Sequence, residues 1–300
     1  MNLRDLVFSQ VELKHITTFK KIFTEFPPQI SEHTFTNIFI WRNHYFFRWA
    51  EIENCILLLA QDEEQNPYFF APIGNPTNPT ELLAKCIEYL KPLSAKPRIE
   101  RVPLSLITNI ESAGLVAIPD RDQFDYVYNT IDLAELAGRN YHAKKNNLNK
   151  FLKKYKWSYE GITADTVQEC LRLEEEWCDF RQCSADRGLS NEMRAIRDAL
   201  LNMDSLGIIG GAIRVNNKIE TFSLGEALNN DTAVIHIEKA NPQIDGLYTA
   251  INYFFLRNEL ISFSFVNREQ DLGLEGLRKA KMSYLPVKMI EKFIVSARDK

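Results

Sequence analysis

The sequence predicts an α/β (α+β) chain made of two consecutive domains, each with a mixed sheet flanked by helices. Its 300 residues exceed the usual length of one domain, roughly 100 to 200 residues. Strand and helix patterns alternate along the chain, and the character of the sequence changes abruptly after Gly138. We therefore expect domains over residues 1–138 and 139–300. One large α/β domain is the alternative.

The first half contains short strand patterns separated by turn residues. The segment PTELLAKCIEYLKPLS, residues 79–94, has apolar residues at helical spacing and predicts a helix capped by Thr80. The segments that predict a strand, the last two followed by a short helix, are 45–52, 54–62, 68–74, 98–110 and 118–138.

The second half predicts a particular order of elements: a strand, two helices, a hairpin, then strand, helix, strand, helix and strand. The hairpin should turn at Asn216 and Asn217. The segments in this order are 158–164, 166–182, 190–206, 207–228, 232–258, 263–269, 273–283 and 284–296. This is the order of the GNAT fold, the acyltransferase fold that binds acyl-CoA.

Composition excludes several classes of protein. A net charge of -4 gives no overall attraction to phosphate polymers, so any contact with nucleic acid needs a local basic patch. The five cysteines include no CxxC pair, which argues against a zinc site and a disulfide framework. No D-x-D or H-x-x-x-H spacing occurs, so we expect no metal site. The N-terminus is no signal peptide and no apolar run could span a bilayer, so we expect a cytoplasmic protein without an integral membrane segment.

A basic run follows Gly138. Residues 139–157, RNYHAKKNNLNKFLKKYKW, contain no acidic residue, and their apolar positions recur at helical spacing. Clustered lysines can neutralise phosphates, so the run could hold a tRNA acceptor stem. A solvated helix face is the alternative. The candidate phosphate-binding residues, with one from a later helix, are Arg139, Lys144, Lys145, Lys153, Lys154 and Lys279.

The strand at 232–240 carries ionisable side chains. Simple alternation places Thr232, Val234, His236 and Glu238 on one face. His236 and Glu238 are therefore candidates to take a proton from an attacking amine, because buried imidazoles and carboxylates are readily tuned toward neutral pH. Glu226, on the neighbouring hairpin strand, could converge on the same place. A hydrogen-bonded structural cluster is the alternative.

Further candidates flank this strand. Tyr284, at the start of the last strand segment, is a candidate acid for the leaving group. The segment after the strand lacks the usual Gly-rich pyrophosphate loop, and Pro242 removes an amide donor, which disfavours acyl-CoA without ruling it out. Asp245 adds a negative charge there, although it could merely cap the next helix. The candidate substrate-binding residues are Lys239, Asn241, Asp245, Gly246, Asn267, Glu269 and Asp271.

Several long motifs resemble one family. The basic run, SLGE at 223–226, TAVIHIEKANPQIDGLYTAIN at 232–252 and VNREQDLGLEGLRKAKMSYLPV at 266–287 carry the resemblance. Together they are similar to an uncharacterised bacterial family related to the C-terminal catalytic domain of phosphatidylglycerol lysyltransferase. The resemblance implies tandem GNAT-like domains, similar in architecture to the Fem-type transferases that use aminoacyl-tRNA.

The function expected from these patterns is transfer of an acyl or aminoacyl group from a tRNA ester or CoA thioester to an amine or hydroxyl acceptor. The partners would be tRNA and a small-molecule or peptide amine. Acyl-CoA or aminoacyl-tRNA would be the donor substrate, and no covalently bound cofactor is expected. The alternative is a noncatalytic module that binds a small amine or amino acid. The oligomeric state stays open.

Overall fold

The computed structural model describes residues 3–182 and 186–298, which form two compact units. The first unit spans Met1–Asp125, Gln270–Arg278 and Met289–Lys300; the second spans Tyr126–Glu269 and Lys279–Lys288. The chain thus enters the second unit after Asp125, whereas the sequence-based division placed this point at Gly138. The expected division into two continuous stretches also differs from the structure, because two later segments return to the first unit.

Eight strands and three α-helices lie mainly in the first unit among the described residues. In chain order these are β1 (Ser9–Gln10), α1 (Ile16–Glu25), α2 (Phe35–Tyr45), β2 (Arg48–Ile52), β3 (Cys55–Gln61), β4 (Pro67–Phe70), β5 (Ile73–Gly74), α3 (Pro79–Leu90), β6 (Arg98–Pro103), β7 (Leu115–Pro119) and, near the C-terminus, β15 (Lys292–Ala297).

One mixed sheet organises this unit, with strand order β1-β2-β3-β4-β6-β15-β7 and β5 paired to β3. The strand β15 lies antiparallel between β6 and β7. Its insertion explains why the C-terminus belongs to the first unit. The core includes Leu57, Phe69, Ile99 and Val295, together with the buried side of α3.

The helices of this unit differ from the prediction in two places. The helix α3 begins with Pro79 and is capped by Asn78, whose side chain accepts from the backbone N–H of Glu81 at 3.1 Å. The predicted cap, Thr80, lies inside the helix. Pro is well suited to the first helical position, because the N–H it lacks would have no partner there. The helices α1 and α2 were not predicted.

The second unit contains the other elements. These are β8 (Asp125–Asn129), α4 (Thr130–Glu135), α5 (His142–Lys154), β9 (Trp157–Gly161), α6 (Ala164–Arg181), α7 (Arg187–Leu201), α8 (Met203–Leu206), β10 (Ile209–Val215), β11 (Lys218–Ala227), β12 (Thr232–Ala240), α9 (Leu247–Phe255), β13 (Phe265–Asn267), α10 (Glu275–Met282) and β14 (Lys288–Ile290). The first residue of β8, part of α10 and most of β14 fall in segments assigned to the first unit.

A second sheet, with strand order β14-β8-β13-β12-β11-β10-β9, runs through this unit. Pairing of β12 with β13 is parallel, whereas β9, β10, β11 and β12 pair antiparallel in series. The hairpin of β10 and β11 turns at Asn216 and Asn217, both with positive φ, as predicted. The predicted fold class, two mixed sheets flanked by helices, is confirmed.

Two further findings concern the cysteines and the possibility of a membrane-spanning helix. Cys55, Cys86 and Cys170 are free and buried. Cys183 lies outside the described residues. Within residues 3–182 and 186–298, no helix combines the length and apolar character needed to cross a bilayer.

Candidate active site

The strand β12 carries a bulge at His236. Opposite it on β11, Gly225 pairs with Ile235 and Leu224 pairs with Ile237, so His236 has no residue across from it. A bulge of this kind interrupts the alternation of side chains. Sheets next to active sites often contain one for this reason.

The bulge corrects the predicted face of the strand. On β11, Leu224 and Glu226 lie two positions apart and share a face. Leu224 pairs with Ile237 and Glu226 pairs with Val234, so Val234 and Ile237 share a face of β12 although they are three positions apart. Glu238 therefore lies on the face opposite to that of Val234. The prediction that Thr232, Val234, His236 and Glu238 share one face is wrong at Glu238, because strict alternation assumes a regular strand.

The strands β12 and β13 part at the same place. Their pairing covers Thr232 to Val234, opposite Phe265 to Asn267, and β12 continues without β13 to Ala240. After Asn267 the chain stays beside β8, since the N–H of Arg268 donates to the carbonyl of Tyr126. The sheet thus opens at His236.

His236 lies between two carboxylates. Its Nε2 is 2.9 Å from Oε1 of Glu226, and its Nδ1 is 2.8 Å from Oε1 of Glu269. Glu269 has a left-handed backbone, with φ of 58°, and its N–H donates to Oδ1 of Asn267 at 2.8 Å. We call Glu226, His236 and Glu269 the carboxylate–histidine group. The predicted convergence of Glu226 and His236 is thus present in the structure.

The charge of His236 follows from these contacts. Burial, the largest single influence, lowers the pKa of the imidazole, but the hydrogen bonds and charges of Glu226 and Glu269 outweigh it and raise the pKa to about 10. The ring is therefore protonated at neutral pH and donates from both nitrogens. A protonated imidazole cannot accept a proton from an acceptor amine.

A second set of side chains surrounds Glu238. Nη2 of Arg268 lies 3.1 Å from both oxygens of Glu238, and Nδ2 of Asn252, on α9, donates to Oε2 at 3.5 Å. The guanidinium carbon of Arg268 lies 4.8 Å from the centre of the Tyr284 ring, and Nζ of Lys144 lies 3.8 Å from it. We call Lys144, Glu238, Asn252, Arg268 and Tyr284 the arginine group.

Two atoms of the arginine group have no hydrogen-bond partner although they are buried. They are Nη1 of Arg268, which can only donate, and Oδ1 of Asn252, which can only accept. An unsatisfied buried polar atom costs about 1–3 kcal/mol, so such atoms are uncommon and call for an explanation. A ligand that both accepts and donates hydrogen bonds would satisfy the pair.

The two remaining members of the group have shifted pKa values. Burial raises the pKa of Tyr284, so its hydroxyl keeps its proton at neutral pH. Burial, and then the charge of Arg268, lower the pKa of Lys144. The contact of Lys144 with the Tyr284 ring places it within the site, where it is half-exposed.

Lys239 points away from both groups. Its Nζ lies 3.0 Å from Oε2 of Glu192, on α7, and 3.5 Å from the ring centre of Trp177, on α6. It is also 3.9 Å from Oε1 of Glu174, a carboxyl whose pKa burial raises to about 7. The predicted substrate-binding residue Lys239 thus anchors two helices to the sheet.

The turn between β12 and α9 is covered by α5. Gly246 precedes α9 with φ of 82°, and a Cβ at this position would come within 2.5 Å of the carbonyl oxygen of Asn147. Asp245 is exposed and lies 3.6 Å from Nζ of Lys154, so it does not cap the helix. Asn241 donates to Oε2 of Glu220 at 2.8 Å. The turn is therefore closely packed at Gly246, whereas a depression of about 350 Å³ lined by Lys150, Lys153 and Lys154 lies beside Asp245.

Asp271 lies outside both groups. It belongs to the first unit, where it is fully buried and forms ion pairs with Arg278 and Arg121 at 2.9 and 3.2 Å. Its predicted role in holding a substrate amine conflicts with these bonds, since neither carboxylate oxygen is turned to solvent.

The basic run forms α5 and the short turn before it. Leu148 and Phe151 are buried, as the helical spacing predicted, whereas Arg139, Lys145, Lys153 and Lys154 are exposed. We call this exposed face, with Lys150, the basic face. Lys279 is also exposed, on α10.

Sequence reasoning did not include Asn252 among the candidates, and it placed Arg268 among the polar residues at the end of the strand without giving it a role. Asn252 is a polar residue in the otherwise apolar segment LYTAINYFF and is fully buried there. A polar residue in an apolar helix was the feature of the sequence that could have indicated a functional role for Asn252. Arg268 follows Asn267 directly at the end of β13, so only the observed geometry distinguishes it from its polar neighbours.

The family model described as phosphatidylglycerol lysyltransferase, C-terminal, matches residues 23–296. The chain belongs to this family. A conserved protein of unknown function from Bacteroides thetaiotaomicron has 35% identity and a TM-score of 0.88, with 97% of this chain and 99% of that chain covered. The C-terminal domain of a putative lysylphosphatidylglycerol synthetase from Agrobacterium fabrum has 14% identity and a TM-score of 0.67, with coverages of 96% and 92%.

A tandem GNAT protein from the clavulanic acid biosynthesis pathway has 10% identity and a TM-score of 0.52, with coverages of 99% and 100%. At this identity the similarity concerns the fold. The tandem GNAT-like architecture expected from the order of elements is therefore confirmed.

Proposed function

We propose that the second unit transfers an aminoacyl group from tRNA to an acceptor hydroxyl or amine, with the reaction taking place at the arginine group. The observation that carries this proposal is the pair of buried, unpartnered atoms beside Glu238, Nη1 of Arg268 and Oδ1 of Asn252. An aminoacyl ester supplies a carbonyl that accepts from the arginine and an amino group that donates to the amide. An acetyl thioester supplies only the carbonyl.

The basic face supports tRNA as the carrier of that ester. It lies on the same helix as Lys144, whose Nζ is 3.8 Å from the Tyr284 ring. A phosphate backbone held along α5 would thus lead to the arginine group. The turn before α9, where GNAT enzymes hold the pyrophosphate of CoA, has α5 packed against Gly246 and the carboxylate of Asp245 beside it, which disfavours CoA.

The residues of the arginine group take distinct roles. Arg268 donates to the ester carbonyl and, with a backbone N–H of β12 beyond its pairing with β13, stabilises the oxyanion of the tetrahedral intermediate. Asn252 accepts from the α-amino group. Glu238, the carboxylate of the group, takes the proton of the attacking acceptor.

Tyr284 gives its proton to the ribose oxygen as the ester bond breaks. The raised pKa of its phenol keeps that proton available at neutral pH. The carboxylate–histidine group holds the opened strands in place. His236 is not the base of this reaction, because the carboxylates on either side raise its pKa and keep it protonated at neutral pH.

Donor discrimination tests this proposal. Lysyl-tRNA, N-acetyl-lysyl-tRNA and acetyl-CoA would each be offered with phosphatidylglycerol vesicles, and both product formation and loss of the ester would be measured. We expect turnover of lysyl-tRNA, a roughly tenfold or greater loss with the form acetylated on the α-nitrogen, which presents an amide there in place of an ammonium, and no turnover of acetyl-CoA. The variant Asn252→Leu should lose this preference, whereas Asn258→Leu, an exposed asparagine nearby in sequence, should keep it.

Two outcomes would contradict the proposal. Turnover of acetyl-CoA at a rate equal to that of lysyl-tRNA would identify an acyl-CoA enzyme. Binding of free lysine, with no ester consumed in the presence of any acceptor, would instead favour the noncatalytic amino acid-binding module, since a free amino acid presents the same carbonyl and amino groups.

A further inference from the structure

A cavity in the first unit is separate in sequence and composition from the arginine group. Its volume is about 300 Å³, near the lower limit for a small-molecule site. The walls come from the end of α1 and the loop after it, from β5 and its flanks, and from the start of the loop after β6. Its apolar lining includes Phe23, Phe26, Pro28, Ile30, Ile73 and Leu106.

Prolines make this lining unusually poor in hydrogen-bond donors. Pro27, Pro28, Pro72 and Pro103 all contribute to it, and none has a backbone N–H. A ligand therefore meets more apolar than polar surface, and the polar side chains of the lining are those of Glu25, Gln29, His33, Asn75 and Ser105.

His33 supplies such a contact. It lines the cavity and is buried, and its Nε2 has no hydrogen-bond partner. The ring also forms a hydrogen bond with the backbone of Ala71, which must involve Nδ1. The N–H of Ala71 already donates to Glu100 at 2.9 Å, so the carbonyl of Ala71 accepts and Nδ1 carries the proton.

The protonation state of His33 fixes what Nε2 can do. Burial, and then the charge of Lys292, lower the pKa of the imidazole to about 3, so the ring is neutral at physiological pH. In a neutral imidazole with its proton on Nδ1, Nε2 is an acceptor only. A partner must therefore bring a hydrogen-bond donor to Nε2.

We propose that this cavity binds a small neutral molecule with an apolar body and a hydroxyl group, which donates to Nε2 of His33. The volume limits the ligand to roughly the size of a substituted ring or a short branched chain. The mostly apolar walls disfavour a charged group, because burying a charge is costly, and the carboxylate of Glu25 disfavours an anion in particular. The binding site lies wholly in the first unit and does not depend on the aminoacyl transfer proposed for the second.

A matched pair of probes tests the hydroxyl contact. p-Cresol and p-xylene have the same shape, and the hydroxyl of one replaces a methyl group of the other. The dissociation constants of both would be measured by ligand-observed NMR titration for the wild type and for His33→Leu. We expect the ratio of p-cresol to p-xylene affinity to fall about threefold to tenfold in the variant, which is the contribution of one hydrogen bond. His142→Leu, an exposed histidine outside the cavity, should leave the ratio unchanged.

A second measurement on the wild-type protein avoids any folding defect of the variant. The ¹⁵N resonance of Nε2 in His33 should lie in the unprotonated range and move toward the protonated range when p-cresol binds, but not when p-xylene binds. An unchanged Nε2 resonance, an affinity ratio unaltered by His33→Leu, or no binding of either probe up to its solubility limit would overturn the proposal.

Discussion

The two units each enclose a set of charged side chains, and these sets differ in how completely they are covered. In the first unit Lys292 contacts Glu32 and Asp125 at 2.5 and 2.6 Å, and the exposed fractions of the three side chains are 0%, 6% and 0%. In the second unit Glu226, Glu238 and Glu269 keep exposed fractions of 12%, 15% and 17%.

The two sets also differ in how their polar atoms are paired. In the first set the N–H and the hydroxyl of Ser31 donate to the two oxygens of Asp125 at 2.8 and 2.9 Å. Oε1 of Glu32 accepts no hydrogen bond but lies 3.2 Å from Nε of Arg101 in an ion pair. In the second, Nη1 of Arg268 and Oδ1 of Asn252 lack partners. The buried set around Lys292 stabilises the position of its strand in the first unit. The partly exposed set of the second unit, which has unpaired atoms, is suited to binding a ligand. Charge alone does not identify a site.

The largest expected effect comes from breaking the closed set. The variant Lys292→Met removes the lysine that contacts both Glu32 and Asp125 and leaves Glu32 with Arg101, 3.2 Å away, as its cation. Removal of one partner from such a buried set costs roughly 3–5 kcal/mol. Denaturant unfolding should show this as a large drop in midpoint. The control Lys96→Met, whose exposed ion pair with Glu64 spans 3.5 Å, should barely move the midpoint. Equal midpoints for the two variants would show that Lys292 does not stabilise the unit.

The carboxylate–histidine group predicts a pH dependence of stability. The pKa of His236 rises from an ordinary 6.5 to about 10 on folding, so its contribution is fully present below pH 6.5 and is lost as the pH rises through 10. This shift in pKa adds on the order of a few kcal/mol to the free energy of unfolding. Unfolding of the wild type and of His236→Gln would be compared between pH 6 and 11.

In that comparison the difference between the two proteins should shrink as the pH rises, because only the wild type loses an imidazolium. Other groups that titrate near pH 10 cancel in the difference. A difference that stays constant over this range would indicate that His236 is neutral in the folded protein.

Part of the fold could be predicted from the sequence. Period-two apolar patterns identified most strands, and two consecutive asparagines located the turn of the β10–β11 hairpin, because this residue type tolerates the positive φ that the turn needs. The helix α2 was missed since residues 35–40 are all buried; a helix buried on every side shows no amphipathic period.

Other features depend on tertiary structure. The bulge at His236 has no local signature, yet it separates the faces of Val234 and Glu238 and removes Glu238 from the predicted row. Lys239 was assigned to the substrate by its neighbourhood in sequence, and its partners Trp177 and Glu192 come from helices some 50 residues away, a distance in sequence that no local pattern spans. The return of β15 to the first sheet likewise depends on long-range pairing.

A substitution at Glu238, in the partly exposed set of the second unit, should affect turnover more than stability. Glu238→Gln keeps the size of the side chain and one oxygen for Arg268 but removes the negative charge. Loss of a proton acceptor should lower turnover of the aminoacyl ester by roughly 10²-fold or more. The unfolding midpoint should fall much less than in Lys292→Met, because the side chain is partly solvated. A normal rate would remove Glu238 from the reaction.

The smallest effect concerns the basic face and tests whether it binds a phosphate backbone. The variant Lys145→Gln with Lys153→Gln removes two exposed charges while leaving Lys144 in the arginine group. Each neutralised phosphate contributes about 0.9 to the slope of log affinity against log salt, because it releases condensed counterion. Filter binding of tRNA across a salt series should thus show the slope reduced by at most about two units.

The control Lys20→Gln with Lys21→Gln removes two exposed charges from α1 of the first unit and should leave the slope unchanged. Equal slopes for both double variants would make the lysines of α5 a solvated helix surface and would leave a small-molecule donor as the better explanation of the arginine group.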